Sequence, residues 1–140
     1  MGYRVLMRLA FAFLADAAQT TADGKLWVFG GDIEDIVAAE LPVTVAALAL
    51  VVKLLLTEEE SERAHQLRLQ FVQPDGTQQL PPFEFPFHAR RRTQELGMPY
   101  GVSLVFNFQQ LVFFSHGQYM LRMAVDGRHL GDVQFSLRVR

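Results

Sequence analysis

Along most of the chain, apolar residues recur at every second position. "HQLRLQFVQ" sets Leu67, Leu69 and Phe71 against Gln66, Arg68 and Gln70, the period-two pattern of a strand with one dry and one wet face. Val5, Met7, Leu9, Phe11 and Phe13 alternate with Arg4, Arg8, Ala10 and Ala12 in a first strand, and Lys25 to Gly30 gives a second, rich in aromatic and branched residues. A short third, Ile33 to Val37, is expected beyond the Gly30-Gly31 break. Ala47 to Leu56 is apolar on both faces except at Lys53, as in a central strand covered on both sides. Phe83, Phe85 and Phe87 alternate around Pro86, and because proline cannot donate to a ladder, this segment belongs at a sheet edge. Val102, Leu104, Phe106 and Phe108 share one face of a further strand. The C-terminal runs Tyr119, Leu121, Met123, Val125 and Val133, Phe135, Leu137, Val139 flank Asp126-Gly127, a strong hairpin signal.

Thr57 and Glu60 stand at capping-box spacing and predict about one helical turn. Pro74-Asp75-Gly76 is turn chemistry. Eight or nine strands with no long amphipathic helix predict an all-β fold, an antiparallel β-sandwich of immunoglobulin-like or jelly-roll-like form, with a partly closed barrel as the alternative. Residues 1–140 are read as one domain, a length that supports a core without staples.

Composition narrows the chemistry. The chain has no cysteine, which removes disulfides, Cys-ligated zinc and thiol catalysis and fits a cytoplasmic protein. A net charge of -2 gives no global attraction for phosphate backbones, so no nucleic acid is expected as partner. The apolar run Val43 to Leu56 contains Lys53 and falls short of the ~20 residues that span a bilayer, so no membrane span is expected. Arg4, Arg8 and Ala15-x-Ala17 superficially resemble a secretory signal, but the apolar run between them alternates like a strand and retention is expected.

Candidate chemistry is sparse. Asp16 and Asp23 are candidate ligand-binding residues at one tip of the sandwich, whereas Asp32 lies beyond the second strand, too far to share an ion with Asp23. The four histidines, His65, His88, His116 and His129, show no metal-binding spacing, so neither metal nor cofactor is expected. No nucleophile elbow or phosphate loop is present, and no catalytic residue is assigned. "FEFPFHARRR" joins Phe83, Phe85 and Phe87 to Arg90, Arg91 and Arg92. Aromatics and arginines are enriched at interface hot spots, so these six are the candidate partner-binding residues. Trp27 is read as core or sheet surface.

Leu14-Ala15-Asp16, Asp23-Gly24-Lys25 and Gly117-x-Tyr119 follow one another in this order, and with the sequence around them they resemble a family of short bacterial proteins of unknown function. The resemblance spans most of the chain and implies no activity, catalytic residue or cofactor. Gly117-x-Tyr119 followed by Leu121 also resembles the tyrosine-corner strand of immunoglobulin-like sandwiches, with leucine where antibody domains carry cysteine. The expectation is a non-enzymatic β-sandwich acting through a protein partner or as a homo-oligomer. A tip-loop binder of calcium, lipid headgroup or sugar is the alternative.

Overall fold

Residues 6–78, 80–89 and 100–140 are described by the structure, a computed structural model. Nine strands form among them: β1 (Arg8–Thr20), β2 (Leu26–Gly31), β3 (Asp35–Ala38), β4 (Val43–Leu56), β5 (Ala64–Val72), β6 (Phe83–His88), β7 (Tyr100–Phe113), β8 (Gly117–Val125) and β9 (Arg128–Val139). They build two sheets, ordered β2-β1-β4-β7 and β3-β9-β8-β5-β6, the two-layer β-sandwich that the alternation predicts. Pro86 lies on β6, an edge strand, as its missing donor requires. Every pairing is antiparallel except β3 with β9. Arg138 Nε reaches both carboxylate oxygens of Asp35 at 3.0 and 2.8 Å, and the Ser136 hydroxyl donates to Oδ1 at 2.7 Å, so side chains pin this short parallel strand in register.

The inner faces supply the core. Leu48, Leu50, Val52, Leu54 and Leu56 of β4 pack against Leu67, Leu69 and Phe71 of β5 and Leu121, Met123 and Phe135 of β8 and β9. Phe71 meets Phe108, Phe113, Phe135 and Phe83 edge-on, with ring centroids 5.4, 5.8, 6.1 and 6.3 Å away, the arrangement that ring quadrupoles favour.

Two strands change face midway. The β1–β4 register shifts between Leu9 and Phe11. Met7 and Leu9 therefore join the core, and so do Ala12 and Leu14, while Phe13 packs on the outer side of the sheet. The expected alternation from Val5 to Phe13 is thus interrupted by a bulge between Leu9 and Phe11, since one extra residue turns every later side chain over, and Val5 itself lies outside the described residues. In β7 the buried set passes from Phe108 to Leu111 and Phe113, with Gln110 between them at φ 55°.

β1 pairs with β4 only as far as Ala15 opposite Ala49. Beyond that point the Asn107 side-chain amide of β7 donates to the Ala18 carbonyl at 3.3 Å, although strands two places apart in a flat sheet are about 9–10 Å from each other. The end of β1 and its partner β2 therefore lie over the outer face of β4 and β7. There Ala18, Leu26 and Val28 cover Ala49 and Val51, and a second, smaller apolar cluster forms. The expected cover on both faces of the central strand is accordingly supplied by the opposite sheet on one side and by this hairpin on the other.

Replacing Phe71 with Ala is expected to cost about 3–5 kcal/mol in urea unfolding, whereas Gln134→Ala on the wet face of β9 should change stability by less than ~0.5 kcal/mol. Comparable losses at both positions would contradict the inward placement of Phe71.

Candidate functional site

The six residues proposed from sequence for partner binding divide. Phe83, Phe85 and Phe87 are half-buried and pack on the core. Phe85 lies 4.7 Å from Phe106, Phe83 lies 5.0 Å from Phe108, and Phe87 stacks on His65 at 5.3 Å. These rings close the seam between β6 and β7, the edge strands on that side of the sandwich. The exposed positions of β6 are Glu84, Pro86 and His88. Arg90, Arg91 and Arg92 lie outside the described residues.

Asp16 and Asp23 are not brought together at a tip. Asp16 is an interior residue of β1, four positions before its end, on the order of 13 Å along the strand from the turn that holds Asp23. It faces the neighbouring strand, where a side chain on Gly30 would begin 2.0 Å from Asp16 Oδ2. Gly30 also has φ +60°, a backbone conformation that favours glycine there. Asp23 belongs to the β1–β2 turn. The Thr21 hydroxyl donates to Asp23, Lys25 Nζ stands 3.4 Å from it, and the Gly24 amide donates to the Thr21 carbonyl at 2.9 Å. The Thr21 hydroxyl holds the Asp23 carboxyl below the usual range, against the opposing effect of burial and with further help from Lys25. Asp23 is thus engaged in local structure, while Asp16 is exposed on the strand beside Gly30.

Of the four histidines, only His65 is buried. Its Nδ1 lies 2.7 Å from Asp126 Oδ2 and its Nε2 lies 2.8 Å from the Glu60 carbonyl oxygen. Asp126 occupies the β8–β9 turn at φ 51°, and it is tied to β5 twice more: Gln66 N–H donates to Oδ1, and Asp126 N–H donates to the Gln66 carbonyl, each at 2.9 Å. Glu60 lies in the single turn that follows β4. There the Thr57 amide and hydroxyl donate to Oε1 at 2.9 and 3.0 Å, Glu60 N–H donates back to the Thr57 hydroxyl at 3.3 Å, and Met7 N–H donates to Oε2 at 2.9 Å. The capping-box spacing is therefore realised in one turn, whose last bond runs from Ser61 N–H to the Thr57 carbonyl. An Arg128 guanidinium N–H donates to the Met7 carbonyl. Leu6, Met7, Glu60, Val125, Asp126 and Arg128 line a cleft of about 230 Å³ at this junction.

A buried His paired with Asp has the composition of a catalytic dyad, but here the second ring nitrogen faces the Glu60 backbone carbonyl rather than a side-chain hydroxyl that it could activate. Elsewhere, His129 Nε2 lies 2.8 Å from Asp132 on the surface, and His88 Nε2 lies 3.1 Å from the Glu62 carbonyl. Among the described residues, no three His, Asp or Glu side chains gather as a metal site. No helix among them is long and apolar enough to cross a membrane.

The largest exposed aromatic side chains include Trp27, 56 % exposed, and Phe29, 66 % exposed, next-but-one neighbours on β2. Leu26 and Val28 alternate with them and face the second cluster. Composition and alternation place all four in a strand but do not reveal which pair points outward.

A family model described as "Family of unknown function (DUF6941)" matches residues 10–139. The chain belongs to DUF6941. No curated protein matches it. Among solved structures, this DUF6941 chain is similar to the alkylpurine DNA glycosylase AlkC of Pseudomonas fluorescens, bound to DNA containing an abasic site analogue, at 14% identity and a TM-score of 0.47. The match covers 99% of the chain but only 32% of that one, so the chain spans about a third of the glycosylase's length. It is also similar to an immunoglobulin-like protein from Pseudomonas aeruginosa, at 16% identity and a TM-score of 0.44, over 98% of this chain and 100% of that one. Within the DUF6941 chain itself, the Tyr119 hydroxyl donates to the Ser115 carbonyl at 2.6 Å from a fully buried ring, the bond expected of a tyrosine corner.

Because the Thr21 hydroxyl is the main support of the Asp23 charge, Thr21→Val is expected to raise the Asp23 pKa toward the ordinary aspartate range. Asp75, whose own support comes from Thr77, should not change, and NMR titration of both carboxyls distinguishes the two.

Proposed function

We propose that this chain is a non-enzymatic β-sandwich of the cytoplasm that works through protein contacts, and that its partner is a second copy of itself, joined along β2. The observation that carries this reading is the exposure of Trp27 and Phe29 on an edge strand. Monomeric proteins seldom leave neighbouring large aromatics in water, and an unpaired edge beside them is a template for strand addition.

Self-pairing suits the local sequence. Among the described residues, β2 is hydrogen-bonded on one side only, to β1. Two copies meeting antiparallel about Val28 set Trp27 of one opposite Phe29 of the other, twice, in a two-fold arrangement where the same patch serves both sides. Cross-strand aromatic pairs are among the more stabilising sheet contacts, at roughly 0.2–1 kcal/mol each. The half-buried Phe83, Phe85 and Phe87 contribute by closing the seam of each sandwich rather than by reaching across to a neighbour.

Sedimentation velocity of the wild type and of Trp27→Ser with Phe29→Ser tests this. The wild type is expected to sediment as a concentration-dependent dimer and the double variant as a monomer with the same β-sheet circular dichroism. A wild type that stays monomeric at high concentration, or a variant that still dimerises, rules out β2 as the contact. Calcium-dependent thermal stabilisation lost in Asp16→Asn would instead favour the tip-loop alternative.

A further inference from the structure

His65 is enclosed by three elements. Asp126 reaches it from the β8–β9 turn, Glu60 from the turn between β4 and β5, and the Phe87 ring from β6. The charged groups acting on it are the carboxylates of Asp126 and Glu60. Phe87 carries no titratable atom, and its neighbour His88 is exposed and engaged with the Glu62 carbonyl.

Both oxygens that meet the ring are acceptors without a proton. A neutral imidazole offers one N–H and one lone pair, so it can satisfy only one of them, whereas imidazolium donates to both. On losing a proton the ring keeps the N–H aimed at Asp126, because a bond to a carboxylate is the stronger of the two. Its Nε2 lone pair then points at the Glu60 carbonyl oxygen, and attraction becomes repulsion.

We propose that His65 is a proton-operated clamp: doubly protonated, it holds the Glu60 turn against β5, and loss of one proton frees that turn and widens the cleft between Met7, Glu60, Asp126 and Arg128. Asp126 stays attached through Gln66 in both states. The opening is local because the Glu60 turn is also what anchors the Met7 amide at the start of β1.

The sign of the pH dependence follows. Burial alone pushes the His65 pKa down, but the bonds to Asp126 and Glu60 outweigh it and raise the pKa above the ordinary value. The clamp is therefore fully formed below about pH 6.5 and is lost as pH rises through the folded-state value. Asp126 shifts the opposite way: burial favours its neutral form, but His65 and the Gln66 amide hold it below the usual range. Its contribution is present above the ordinary aspartate range and fails only on strong acidification.

NMR of the full chain labelled with nitrogen-15 tests the clamp. At pH 6 both His65 ring nitrogens are expected to be protonated, with titration above pH 6.5. Across that titration, protection factors of the Met7, Glu60 and Ser61 amides, corrected for intrinsic exchange, should fall about tenfold, equivalent to about 1.4 kcal/mol. Those of Gln66 and Asp126 should hold. Asp126→Asn should lower the His65 pKa. A ring with one N–H at pH 6, titration below 6.5, or equal loss of protection at all five amides overturns the proposal, and these wild-type readings decide it even if the variant does not fold.

Discussion

A central strand that is apolar on both faces cannot rest with either face in water, and β4 imposes this requirement on everything around it. Its inner residues, from Leu48 to Leu56, call for an opposite sheet. Ala49 and Val51, on the other side, are completely buried as well. At roughly 25 cal/mol per Å² of apolar surface removed from water, leaving such a face open is costly. The chain meets the requirement with its own first hairpin, which leaves the sheet after Ala15 and lies back across it. The small residues Ala15, Ala18 and Ala49 permit that close approach.

The same hairpin determines where the surface is apolar. A two-stranded arm laid over a sheet has one face against protein and one face outward. Leu26 and Val28 take the inner face of β2, which leaves Trp27 and Phe29 outside. Their exposure is thus tied by strand alternation to the covering of β4, since a one-residue slip would bury the aromatics and expose the aliphatics. The choice of large aromatics at the outward positions is not dictated by the fold, because threonine or lysine would serve the strand equally well. That separates a folding requirement at Leu26 and Val28 from a surface property at Trp27 and Phe29.

Much of the architecture was legible because it rests on local chemistry. Pro86 marked an edge, Asp126-Gly127 marked a two-residue hairpin, Tyr119 marked a corner, and the Thr57/Glu60 spacing marked a turn. The features that escaped depend on register or on distance in the chain. The bulge after Leu9 and the face change around Gln110 break an alternation that the residue types alone continue smoothly. His65 and Asp126 are 61 positions apart, and their contact follows from β5 pairing with β8, which no local signal announces. Phe83, Phe85 and Phe87 gave the correct period and the correct edge, but alternation does not say whether an edge strand turns its aromatic face toward its own core or toward a neighbour.

His65 and Glu60 show how a protein of this size concentrates polar structure. The Glu60 side chain gathers the Thr57 amide and the Met7 amide, its carbonyl meets His65, and His65 in turn meets the turn between β8 and β9. One turn thereby links the start of β1, the end of β4, the start of β5 and the last hairpin, joining both sheets at one end of the sandwich. Apolar burial holds the sheets face to face, but the hydrophobic effect is itself non-directional. Hydrogen bonds are directional, and a buried one left unmade costs about 1–3 kcal/mol. The junction therefore fixes the relative position of two sheets whose attraction comes from Phe71 and its neighbours, and it does so through a histidine whose bonds to Asp126 and Glu60 favour its protonated form.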